Sequence, residues 1–303
     1  MSDILYFIKS LDTELQSYPD SNIVFFVEKG RQNFTNAVLL LGCYMILREN
    51  LSPRKVMSKF ARLDTALIVP YREANNSEYD FTLSIFDCWQ GLEQGKLCGW
   101  VNFSYSPTMW GKINLSFYRG YASPANGDMH QVVPGKFIAF KGPIDLGPSP
   151  RQYRDTSSGE RIFSPCYYVD VFAEIGVIDV IRLNEPRYDA VAFTSRGLRH
   201  HDLAFADGAY PPEDVLAALF RVVDTAAGAI AVHCRDGLRQ TATLIALCLM
   251  RSHAFTAREA IAWLRMMRPG SVVGEQQDYL CEVSQILDER AAGKKLLSHA
   301  VRG

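Results

Sequence analysis

The chain has 303 residues, a formal net charge of −1, 48% hydrophobic and 21% charged residues; this suits a folded globular protein of two domains or one large one. So even a balance supplies no global field to draw in nucleic acid or a membrane surface, and no apolar run reaches the roughly 18–20 residues of a membrane span. Seven scattered cysteines, Cys43, Cys88, Cys98, Cys166, Cys234, Cys248 and Cys281, form no CxxC pair, which argues against a disulfide framework or a zinc ribbon and for a reducing, intracellular setting.

The first residues carry Asp3, Lys9, Asp12 and Glu14 and make a poor signal peptide. "SNIVFFVEKG" (21–30) reads as a buried strand ending in a turn, and "NFTNAVLLLGCYMILREN" (33–50) follows with helical periodicity. Ser52-Pro53 opens a short helix, since proline is tolerated in the first turn. Residues 78–100 give another amphipathic helix, stopped near Gly95 or Gly99. "MHQVVPGKFIAFKGP" (129–143) holds two strand-like runs about a Pro134-Gly135 turn. Pro143, Pro148 and Pro150, with Gly and Ser around them, mark an exposed linker or lid over 144–165.

The second half alternates strand and helix: helix 169–176, strand 177–184, a helix closed by Gly197, strand 198–205, helix 211–226, strand 228–234, then helices over 241–253, 256–270 and 275–292. Such alternation builds a mostly parallel sheet covered by helices. Both halves contain an apolar strand, a polar turn with one glycine and an apolar helix, so the expected fold is α/β with two tandem units: 1–143, a linker at 144–165, 166–290, and a tail at 291–303.

Three stretches carry possible chemistry. In "AIAVHCRDGLRQTAT" (229–243), Cys234 stands between a strand end and a helix start, where ligands of open α/β sheets collect. The loop amides of Arg235, Asp236, Gly237, Leu238, Arg239 and Gln240, with the helix N-terminus, form an anion site whose field also stabilises a nucleophilic thiolate. His233 precedes the cysteine, and Thr241 is placed to hydrogen-bond its sulfur. Asp207, in "FADGAYPPED", follows a strand and is placed to protonate a leaving oxygen; Asp before Gly is also a common turn or cap. Gln276 and Gln277 sit at the start of the last helix, where a glutamine can hold a water or merely polarise a first turn.

Acid, nucleophile and glutamine in this order resemble a cysteine-dependent dual-specificity phosphatase. The stretches "VPGKFIAFKGP", "VIRLN", "DGAYPP", "GAIAVHCRDGL", "AIAWLRMMRPGSVVG" and "QQDYL", with "NAVLLLGCYMIL", "VPYREA" and "LSIFDCWQGL" earlier, are similar to the Cdc-fourteen family, the cell-cycle branch that reverses proline-directed phosphorylation. The resemblance implies two tandem phosphatase-like domains, the first without catalytic residues, "VEKGRQNFTN" being the inert counterpart of the Cys234 loop. It implies Cys234 as nucleophile, Asp207 as general acid, Gln276 and Gln277 as orienters of the hydrolytic water, residues 235–240 as the phosphate cradle, no cofactor or metal, phosphoprotein substrates or phosphopeptide ligands as partners, and a nuclear or cytoplasmic location. The family loop continues Gly-Arg-Thr-Gly after "GL"; here the residues are Arg239-Gln240-Thr241-Ala242. Gln240 brings no charge where a guanidinium matches two phosphate oxygens. Arg239 lies about 100° around the helix from that position and replaces a glycine free to adopt positive φ. An active, slowed phosphatase and an inert phosphopeptide-binding pseudophosphatase are both compatible with this loop.

Overall fold

The computed structural model describes residues 1–73, 80–103, 109–147 and 152–287; the tail expected at 291–303 lies outside them. The first half is helical: α1 (Ser2–Ser17), α2 (Arg31–Leu47), α3 (Pro53–Lys59) and α4 (Ile85–Leu97). Ser52 caps α3 and a Ser84–Asp87 capping box starts α4, satisfying amides that no helix turn can reach. A two-residue ladder, β1 (Met109–Trp110) with β2 (Ile113–Asn114), leads into α5 (Leu115–Tyr121).

Next come the hairpin β3 (Met129–Val133) and β4 (Phe137–Phe140), the small hairpin β5 (Tyr153–Asp155) and β6 (Arg161–Phe163), then α6 (Pro165–Glu174), β7 (Val177–Arg182), α7 (Val191–Thr194), β8 (Arg199–Asp202), α8 (Glu213–Thr225), β9 (Ala229–His233), α9 (Gln240–His253) and α10 (Ala257–Met267). Residues 276–287 are helical. One five-stranded sheet has the order β3-β4-β9-β7-β8, with β3 antiparallel and the remaining pairings parallel. The α/β class and the mostly parallel, helix-covered sheet expected for the second half are present.

Three expectations need correction. Residues 22–28 form no strand among the described residues, since no neighbouring strand is there to pair their backbone, and Val24 is 73% and Phe26 88% exposed. The first half therefore has no parallel sheet of its own among the described residues. β3 and β4, assigned to the first unit by a division at 143, are hydrogen-bonded into the sheet of the second half. The 144–165 linker contains the β5–β6 hairpin, clasped by Arg161 on Asp155 at 2.7 Å.

The strands alternate between two apolar clusters, as period-two side chains must. Ile230, Val232, Phe137 and Ala139 face α9, α10 and the first-half helices; Ala229, Ala231, Ile138 and Phe140 face α6 and α7. The first half joins the same core. A Cβ at Gly91 of α4 would lie 2.7 Å from the Glu259 carbonyl, and one at Gly95 would fall within the Trp263 ring, so α4 and α10 pack at backbone contact. Arg258 clamps Asp87 with two bonds of 2.8 and 3.0 Å across the same seam.

Candidate active site

The parallel strands β4, β7 and β9 end at one edge, and the 234–239 loop leaves it. β9 is wholly buried and α9 is buried from Gln240 to Met250, so the loop is fixed at both ends by apolar packing. Gly237 is at φ +69°, and a Cβ there would fall on the Phe140 carbonyl; only glycine fits.

Every carbonyl of the loop is engaged from outside. Cys234 O accepts from His233 Nδ1 at 3.0 Å, Arg235 O from Gly142 N at 3.1 Å, Asp236 O and Gly237 O from Arg268 at 2.8 and 3.0 Å, Leu238 O from Val272 N at 3.1 Å, and Arg239 O from Thr243 N at 3.0 Å. Among the described residues the amides of 235–239 donate to nothing. A loop with its carbonyls pinned outward and its amides unpaired is an anion nest.

Arg268 is the principal residue missed from the sequence. It is 1% exposed, and its guanidinium meets the two loop carbonyls, the Asp128 carboxylate at 2.9 Å, the Asp128 carbonyl at 3.0 Å and His130 Nδ1 at 2.8 Å. The signal was its place at the C-cap of α10, four residues after the buried Leu264, where a buried charge demands partners. Gly142 was also missed: its Cβ would fall on the Cys234 carbonyl.

Cys234 is the residue after β9 and is 3% exposed. A cleft of about 760 Å³ opens beside it, lined by Asn184, Arg187, Phe205, Asp207, Arg235 and Gln240 among others; Cys234 is not in the lining. His233 is buried beneath the loop. Its Nδ1 donates to the Cys234 carbonyl, so its Nε2 accepts from the Tyr188 hydroxyl at 2.7 Å; Tyr188 in turn meets His200 Nε2 at 2.9 Å. Burial pushes His233 down to about 3, so it is neutral and positions the loop rather than charging it.

Several predicted roles change. The Thr241 hydroxyl is buried without a partner among the described residues; the bond to the Cys234 sulfur is not formed. The Gln240 side chain donates to Phe205 O at 2.8 Å and Leu183 O at 3.4 Å, so its amide is committed to backbone. Arg239 is at φ −84°, so the lost glycine was not needed for a left-handed backbone; its guanidinium reaches the exposed Asp207 carboxylate at 3.6 Å. Gln276 donates to Gly208 O and Ala209 O at 3.3 and 3.1 Å, and its Oε1 is buried without a partner among the described residues. Gln277 is fully engaged, accepting from Arg265 at 2.6 Å and donating to Glu73 at 3.0 Å, which makes it a bridge to the first half rather than a water holder. No group of three His, Cys, Asp or Glu residues is placed to hold a metal among the described residues.

The model for the N-terminal half of dual specificity protein phosphatases matches residues 1–95, and a DSP-PTPase phosphatase model from polymorphic toxin systems matches 167–254. The dual specificity protein phosphatase CDC14C of Homo sapiens is 36% identical over 258 residues, covering 85% of this chain and 54% of that protein. This chain belongs to the CDC14 family of dual-specificity phosphatases. The Schizosaccharomyces pombe CDC14 homolog, a tyrosine-protein phosphatase, is 31% identical over 290 residues, covering 95% of this chain and 51% of that one. The chain thus spans about half the length of the curated relatives it matches. A putative protein tyrosine phosphatase structure from Leishmania major is 31% identical with a TM-score of 0.35, covering 38% of this chain and 77% of that one.

Proposed function

We propose that this CDC14-family chain is a slow protein phosphatase acting on phosphoserine- or phosphothreonine-proline sites and on phosphotyrosine. The carrying observation is the 234–239 loop, with outward carbonyls and with the amides of 235–239 unpaired among the described residues. The phosphoryl group sits on those amides. The Cys234 thiolate forms an S–P bond as the P–O bond to the leaving group breaks, and the Asp207 carboxyl gives the leaving oxygen its proton. Water then attacks phosphorus, Asp207 takes its proton, and the S–P bond breaks to return the thiolate and free phosphate. Gln276, whose buried Oε1 has no partner among the described residues, orients that water. Arginines acting on phosphoryl transfer contribute roughly 10³–10⁵ in rate, so the neutral Gln240 makes the enzyme slow.

A second reading, a pseudophosphatase that binds phosphopeptides without turnover, is favoured by the Gln240 amide being occupied by Phe205 and Leu183. Hydrolysis of an aryl phosphate and of a phosphoserine-proline peptide, with Cys234→Ser as control, separates the two. Turnover lost in Cys234→Ser supports the enzyme. Phosphopeptide binding without Cys234-dependent turnover establishes the pseudophosphatase.

A further inference from the structure

Residues 203–210, which carry Asp207, have no regular secondary structure. Yet they are tied down from several sides. Phe205 N donates to Leu183 O at 3.3 Å. The Gln240 Nε2 bridges that same Leu183 carbonyl and the Phe205 carbonyl. Arg239 reaches the Asp207 carboxylate at 3.6 Å, Gln276 holds the Gly208 and Ala209 carbonyls, and Tyr210 stacks on Tyr279 at 4.6 Å between centroids. Gln240 is 3% exposed, whereas Asp207 is among the most exposed groups of the site, with 71% of its side chain open.

From these contacts we propose that Gln240 is a positioning residue for the general acid. Its buried amide, helped by Arg239 at the rim, latches the Asp207 loop to the start of α9, so the acid is held over the cradle before substrate arrives. The residue at 240 serves proton transfer to the leaving group instead of the phosphate oxygens. A carboxamide suits this task because it donates two N–H bonds to neighbouring carbonyls without burying a charge. The chemical arm of the proposal rests on the phosphatase reading above.

The test is Gln240→Leu, of similar volume and without a donor, and Arg239→Gln at the exposed rim, where folding is not at stake. An acid is needed most when the leaving group is poor. With phenyl phosphate, Gln240→Leu should lower kcat by at least about tenfold, and with an activated nitrophenyl ester by less than about threefold, with KM little changed. Asp207→Asn should show the same split, and the Gln240→Leu/Asp207→Asn double variant should be no slower than Asp207→Asn alone. Arg239→Gln should show a smaller split of the same sign. An equal fall on both esters, or a rise in KM alone, overturns the proposal in favour of a phosphate-binding role. Amide exchange without substrate is the independent arm: residues 204–209 should exchange about tenfold faster in Gln240→Leu while 235–238 do not. If the wild type shows no Cys234-dependent turnover, the phosphatase reading falls and exchange alone decides the latch. Unchanged exchange at 204–209 overturns it.

Discussion

Residues 22–47 and 229–253 share one pattern, an apolar run, a polar turn with glycine and an apolar helix, but only the second contains a strand. β9 lies between β4 and β7, all five residues buried. Val24 and Phe26 stand in solvent, and α2 starts from Gly30 with no ladder before it among the described residues. A parallel strand is completed by neighbours that take its backbone groups, and apolar residues alone do not supply them. The second segment has them, and its loop is further pinned by Arg268, Gly142 and Val272. The site exists where packing holds the turn as well as the helix.

The sharpest way to break this contrast is to remove the pin. Arg268→Leu leaves the Asp128 carboxylate and two loop carbonyls without their partner and should cost about 3–5 kcal/mol, with tungstate binding lost. Chemical denaturation and tungstate titration check it. Gly237→Ala and Gly30→Ala compare the two turns directly. The first drives a Cβ into the Phe140 carbonyl at φ +69° and should cost more than about 3 kcal/mol. The second, at φ +141° with nothing nearer than Asn33 at 3.6 Å, should cost about 1 kcal/mol. Equal costs would contradict the account. The strands themselves are compared by Val232→Ala, expected to lose about 2–3 kcal/mol from a fully buried site, against Phe26→Ser, expected to stay within about 0.5 kcal/mol.

The contrast extends to pH. His130 and His233 are both pushed down to about 3, chiefly by burial. Their folded values lie below the ordinary 6.5, so the unfolded chain binds more protons as pH falls. Their contribution should be level above about pH 6.5 and fall toward pH 3, each histidine adding about 1.4 kcal/mol per pH unit well below 6.5. Residues 22–47 contain no histidine, whereas His233 ends β9 and His130 lies on β3 of the same sheet, so the loss belongs to that sheet. His130→Asn should remove a part of the slope between pH 6 and 4.5 in urea denaturation, with His233 and the also lowered, partly buried His200 and His253 carrying the rest.

Much of this was legible. The β9–loop–α9 unit, the β3–β4 hairpin about Pro134-Gly135 and the capped helices announce themselves by periodicity and by turn and cap residues, which are local. The strand expected within 21–30 was misread because a strand's completion is not local. The partners of Arg239 and Gln240 were hidden for a related reason. Position relative to the loop was readable, but which carbonyls or carboxylate lie within reach depends on β7 and on residues 205–207 brought in by the fold. Gln277 likewise gained its partner, Glu73, from more than two hundred residues away.

The central claim is that the pinned, anion-holding loop presents Cys234 to phosphorus. Its most direct test is to mix the wild type with a phosphotyrosine peptide, quench within the first turnover and map the protein by mass spectrometry. The account predicts one added phosphoryl group on the peptide containing Cys234, absent in Cys234→Ser and accumulating in Gln276→Ala. An unmodified Cys234 in a protein that still binds the peptide, or a phosphoryl group on another residue, would contradict it.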